Sequence, residues 1–108
     1  MLKQNNIPFV QQKTFETCRF PDTLYNAYFD FYVDDKYLIE FDGEQHFYFK
    51  NNLHNWNTEE NFKKTKEKDN YKNEWCKNNN IPLIRIPYSH LNELNINDLL
   101  LDTSQFII

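Results

Sequence analysis

Glycine is nearly missing from this chain: there is one in 108 residues, with four prolines. That composition excludes a linker-rich or low-complexity protein. Cysteine is scarce too. Cys18 and Cys76 are too few and too far apart for a zinc cluster and read as buried free thiols of a reducing compartment. No apolar run approaches the roughly 20 residues of a membrane span, and Met1-Leu2-Lys3-Gln4 does not open a signal peptide. The expected place is therefore the cytoplasm, of a bacterium or a phage-infected host. The source follows from a third scarcity: two Arg stand against ten Lys and sixteen Asn, as an AT-rich coding genome would produce. Positive charge is also short. Twelve basic and sixteen acidic residues give a net charge of −4, a mild argument against nucleic-acid binding.

What is present in quantity is aromatic: ten Phe, seven Tyr and two Trp. A core built from such side chains can bury substantial area in a short chain, and 108 residues fit one domain, 1–108. Residues 7–13 read as a first strand after a polar stub that resembles the last turn of a helix. Residues 14–27 read as a connection with turn chemistry at Pro21-Asp22. A hairpin follows over 28–42. Phe29, Phe31 and Val33 alternate with Tyr28, Asp30 and Tyr32, and Tyr37, Ile39 and Phe41 alternate with Leu38, Glu40 and Asp42. Period two marks strands with unlike faces.

The turn decides what those faces carry. Three residues, Asp34-Asp35-Lys36, set Asp30 opposite Glu40 with both carboxylates on one face. A two-residue turn at Asp34-Asp35 pairs Asp30 with Ile39 instead and parts the carboxylates. The longer turn sorts the pattern better, with Phe29, Phe31, Val33, Ile39 and Phe41 together. Like charges directly opposed on a hairpin destabilise it unless a cation intervenes. Asp30, Glu40 and Asp42 are thus candidate metal ligands, hard oxygen donors of the kind Mg²⁺ selects. The bland alternative is a half-exposed hairpin with an acidic solvent face.

Gly43 is expected to supply a backbone bend, and 47–57 reads as a loop. A helix is expected from an N-cap at Thr58 to about Asn78, with Glu59 and Glu60 in its first turn and an αL exit in the Asn triplet. At 100° per residue, Phe62, Thr65, Asp69, Asn73 and Cys76 share a stripe, with Lys72 on its flank. Residues 81–87 read as a strand with prolines near its ends, and 95–101 as a short closing helix. The order β, ββ, α, β, α implies an α/β (α+β) architecture, a mixed sheet flanked by helices.

His46, just beyond the strand end, could orient or deprotonate a metal-bound water. His54 and His90 lie in polar stretches and are expected to have no partners. Six lysines between 63 and 77 (Lys63, Lys64, Lys66, Lys68, Lys72, Lys77) are candidate DNA-phosphate contacts, of which roughly two to four can reach one duplex. Trp75 and Cys76 read as packing.

At these residues the chain resembles the PD-(D/E)XK nuclease superfamily. The match comprises Asp30, then Ile39-Glu40-Phe41-Asp42-Gly43-Glu44-Gln45-His46, then Asp69-x-x-Lys72, then Ile81-Pro82-Leu83-Ile84-Arg85-Ile86. It is most similar to the branch of very-short-patch-repair endonucleases and phage homing endonucleases with an EDxHD motif, over about residues 5–90. The resemblance implies a restriction-endonuclease-like fold and Mg²⁺-dependent DNA cleavage, with Mn²⁺ as a substitute. It implies Asp30 and Glu40 as the metal pair, His46 as the active-site histidine and Asp69 as the final acidic residue. Two departures stand out. Asp42 occupies the position of the usual superfamily lysine. The helix that precedes the first strand in this branch, with its Glu, has no counterpart here, and Glu16 is not aligned to replace it. The expectation is then either a catalytic core that needs a partner, as a homodimer or with a partner subunit, or a truncated remnant. The rival expectations are a catalytically weak nuclease-fold protein that binds DNA or a protein partner, and an interaction domain using its aromatic surface.

Overall fold

The computed structural model describes residues 2–20, 26–43 and 59–108. It is a mixed α+β structure. Four strands, β1 (Phe9–Arg19), β2 (Asn26–Val33), β3 (Tyr37–Asp42) and β4 (Leu83–Pro87), lie in that spatial order. β1–β2 and β2–β3 are antiparallel, and β3–β4 is parallel. A parallel pair needs a crossover, and the helix α1 (Glu59–Asn78) lies on it. Two 3₁₀ turns, Tyr88–Glu93 and Ile96–Leu99, follow β4 where a single closing helix was expected. The far edge of β4 is covered by the C-terminus: Arg85 N–H donates to Phe106 and Ile108 N–H to Leu83. No helix among the described residues is long and apolar enough to cross a membrane.

The sheet is the middle layer. One face packs on α1 through Phe29, Leu38, Leu83, Cys18 and Cys76, with Trp75 and Tyr71 at its margin. The other carries Val33, Ile39, Ile84 and Ile86 beneath Leu2 and Leu99. Both thiols are buried and free, and burial pushes Cys18 up to about 11 and Cys76 to about 12. Such thiols are inert packing groups at neutral pH.

The hairpin takes the register of the longer turn, Asp34-Asp35-Lys36. Asp34 and Asp35 both have positive φ (51° and 54°), and Lys36 N–H donates to Val33 O at 2.9 Å, as in a type I′ turn. Lys36 is the extra residue, and the register becomes Val33↔Tyr37, Tyr32↔Leu38, Phe31↔Ile39. The ladder stops at that last pair, one step short of Asp30 and Glu40.

Three local expectations change. β1 runs on to Arg19, into the expected connection; Pro21-Asp22 lies outside the described residues, as does the Thr58 cap. No described glycine has positive φ, so Gly43 makes no left-handed bend. Phe29 does not share a face with Phe31: it lies in the helix-side cluster, while Phe31 packs on the opposite one. The alternation breaks at Asp30. Across from it, Gln12 takes φ 51° between the pairs Gln11↔Phe31 and Lys13↔Phe29. A non-glycine residue in that region turns the strand locally, so Phe15 follows Phe29 to the helix side.

Both helical endings are built alike. Asn80 (φ 57°) closes α1, with Ile81 N–H on Cys76 O and Asn80 N–H on Lys77 O. Asn6 (φ 56°) repeats the pattern through Ile7 N–H on Leu2 O and Asn6 N–H on Lys3 O. These are Schellman ends, with Asn in the left-handed position. The opening stub thus has the geometry expected of a last helical turn.

Candidate functional site

β2 and β3 hold their ladder only as far as Phe31↔Ile39. Beyond that point the N–H of Phe41 is taken by Asp30, whose Oδ2 accepts it at 2.7 Å. A side chain has replaced a strand carbonyl, and a cleft of about 330 Å³ opens there. Phe20, Tyr28, Asp30, Glu40, Thr65, Lys68, Asp69 and Lys72 are among the residues lining it. Asp30 also borders a second hollow on the other side, with Gln11, Gln12 and Phe31. The break in alternation is what gives it access to both.

Glu40 points toward α1 and is 6% exposed. Lys72 meets it there, Nζ to Oε1 at 3.2 Å. Burial pushes the Glu40 carboxyl above its ordinary value. Lys72 pulls it back, and the nearby Asp30 charge pushes it up again. The expected carboxylate pair is thus present on one cleft, with an ammonium beside it. The Asp69-x-x-Lys72 spacing placed both residues on one side of α1; the Glu40 contact across 32 residues was not visible.

Asp42 departs from expectation. It is buried, and its Oδ1 accepts from Arg85 Nη1 at 2.8 Å. Arg85 also donates from Nε to Asn73 Oδ1 (2.7 Å) and from Nη2 to the Asp69 carbonyl (3.3 Å), and lies 3.6 Å from Asp69 Oδ1. Asp42 and Asp69 therefore anchor α1 to β3 and β4 through one guanidinium. Asp42, expected as a metal ligand or as an anchor behind one, is held by a cation of the chain. Arg85 was overlooked, although an arginine inside Leu83-Ile84-Arg85-Ile86 signals a buried carboxylate partner.

The lysines disperse. Lys68 and Lys72 line the cleft. Lys63 and Lys64 instead pair with Glu59 and Glu60 on the exposed helix surface, and Lys66 lies over the Phe62 ring. Lys77 is in the last turn. His46 and His54 lie outside the described residues. His90, expected to be partnerless, has Nε2 2.9 Å from Asp98 Oδ2 and Nδ1 3.8 Å from Glu93. It ties the two 3₁₀ turns together, away from the cleft-lining set.

Mg²⁺ keeps several waters and is bound by one or two carboxylates plus substrate phosphate. Asp30 and Glu40 supply two carboxylates to the lining of one open cleft. Among the described residues, no group of three or more His, Cys, Asp or Glu is gathered around one point. Comparison of the chain with protein-family models, curated proteins and solved structures gives no match.

Proposed function

We propose that this chain is a Mg²⁺-dependent phosphodiesterase of restriction-endonuclease-like fold acting on DNA. The observation that carries the reading is the convergence of Asp30, Glu40 and Lys72 on one cleft where two strands part. A bound divalent ion would supply Lewis-acid polarisation and a more acidic water. Asp30 and Glu40 would hold it, with Mn²⁺ as a substitute. The chain's own residues do the rest. The Phe41 N–H fixes one Asp30 oxygen in place. Lys72, 3.2 Å from Glu40, would offer its ammonium to a phosphate oxygen gaining charge. Arg85 holds α1, and with it Lys72, at this distance. His46 is assigned the proton-handling role from the sequence alone.

The test is plasmid cleavage in Mg²⁺, Mn²⁺ or EDTA. Wild type is expected to cut with either ion and not in EDTA. Asp30→Asn is expected to abolish cutting while its thermal melt stays near wild type. Full activity in Asp30→Asn would defeat the assignment.

One observation favours a second reading. Lys72 and Arg85 already neutralise Glu40 and Asp42, as in a nuclease-fold protein that binds DNA or another protein without cutting. DNA binding without cleavage in either metal would select it.

A further inference from the structure

We propose that the cleft admits an unpaired nucleotide, its base stacked on Tyr28 at the mouth and its phosphate drawn toward Lys68 and Lys72. The inference rests on the phosphodiesterase reading and names the form of DNA that site would take.

Tyr28 is anomalous on its strand. Its neighbours Ala27 and Phe29 are fully buried, whereas Tyr28 is 54% exposed, so its ring adds little to the core. It lines the cleft together with Phe20. Both rings stand beside ammonium groups: Lys72 Nζ is 5.4 Å from the Tyr28 centroid, and Lys68 Nζ is 5.4 Å from that of Phe20. Lys72 is simultaneously 3.2 Å from Glu40. One ammonium therefore links the stacking surface to the carboxylates, over a span that a single nucleotide bridges from base to phosphate.

Size and charge point the same way. A hollow of about 330 Å³, walled by α1 and the parted strands, suits one extruded nucleotide. Enzymes that seat a base in such a pocket spend least on one already unpaired. A chain of net charge −4 gains little from counterion release. Base–aromatic stacking is far less dependent on net charge and is worth about 5- to 150-fold in affinity per base on alanine substitution.

The experiment is fluorescence anisotropy of the full chain in EDTA. The probes are a short single strand, the same sequence as a blunt duplex, and a duplex carrying a single-stranded flap. Wild type is expected to bind the single strand and the flap at least about 10-fold tighter than the blunt duplex. Tyr28→Ala should lose about 5- to 150-fold on the unpaired probes and little on the duplex, and Tyr28→Phe should retain wild-type affinity. Equal affinity for all three probes overturns the inference, as does a folded Tyr28→Ala that loses nothing. Because binding is read without metal, the two proposals fail separately. Tyr28-dependent preference without cleavage supports this inference and defeats the catalytic reading. Cleavage of blunt duplex with no effect of Tyr28 does the reverse. Binding to none of the probes overturns this inference, and the cleavage assay alone then decides the catalytic reading.

Discussion

Glu40 sits 6% exposed between Lys72 and Asp30, and its chemistry sets the expected response to metal. Its carboxyl is raised, chiefly by burial, so its stabilising contribution is full below the ordinary value of 4.5 and is lost as pH rises through the folded value. At pH 7 in EDTA, Glu40→Gln should therefore melt at or above wild type. Mg²⁺ should raise the wild-type melt, by about 2.7 kcal/mol of stability at 100 times its dissociation constant, and should not move the variant. Asp98 has the opposite sign. The Asn95 N–H, then His90, hold its carboxyl below 3.8, so its contribution is present above that value and lost as pH falls through the folded one. The urea midpoint should fall below pH 4 in wild type and fall less in Asp98→Ala, which starts lower.

Helix α1 is held to the sheet by apolar contacts at one end and by Arg85 in its middle. Mean hydropathy of the helix is low, and Cys76 is its sole residue classed as fully buried. The polar clamp therefore carries an unusual share of the docking. Arg85→Ala leaves Asp42 buried without that cation, a change that typically costs about 3–5 kcal/mol. Arg85→Met with Asp42→Leu removes both charges and should recover most of that loss. Equal destabilisation in the single and double variants, measured by urea unfolding, would show that the clamp matters through packing instead. The exposed pairs Lys63–Glu59 and Lys64–Glu60 are worth little, and their removal should be nearly silent.

At the scale of the whole molecule, the acidic balance limits how it can hold DNA. Six lysines of the helix region suggested roughly two to four phosphate contacts, but only Lys68 and Lys72 face the cleft. Two contacts to a single strand give a log–log salt slope of about −1.4. A slope steeper than about −4, from binding titrations between 50 and 200 mM salt, would mean that a broader basic surface is in use.

Much of this was legible in short stretches. Lys36 as an extra turn residue set the register from Val33↔Tyr37 to Phe31↔Ile39, because side chains alternate with period two and one residue decides the face. Of the stripe Phe62, Thr65, Asp69, Asn73 and Cys76, the last three meet the sheet, because 3.6 residues per turn is a property of the backbone alone. The tertiary structure decided the rest. Periodicity says which residues share a face, not which face of another element they meet. Glu40 with Lys72 and Asp42 with Arg85 therefore became pairs only when α1 and β4 closed over β3. Phe29 lies on the other side from Phe31 where the facing strand carries a left-handed φ at Gln12, which glutamine does not advertise. His90 found Asp98 only when two 3₁₀ turns brought residues eight apart together. Local sequence sets torsions and faces, and burial, which is summed over the whole chain, chooses the partners.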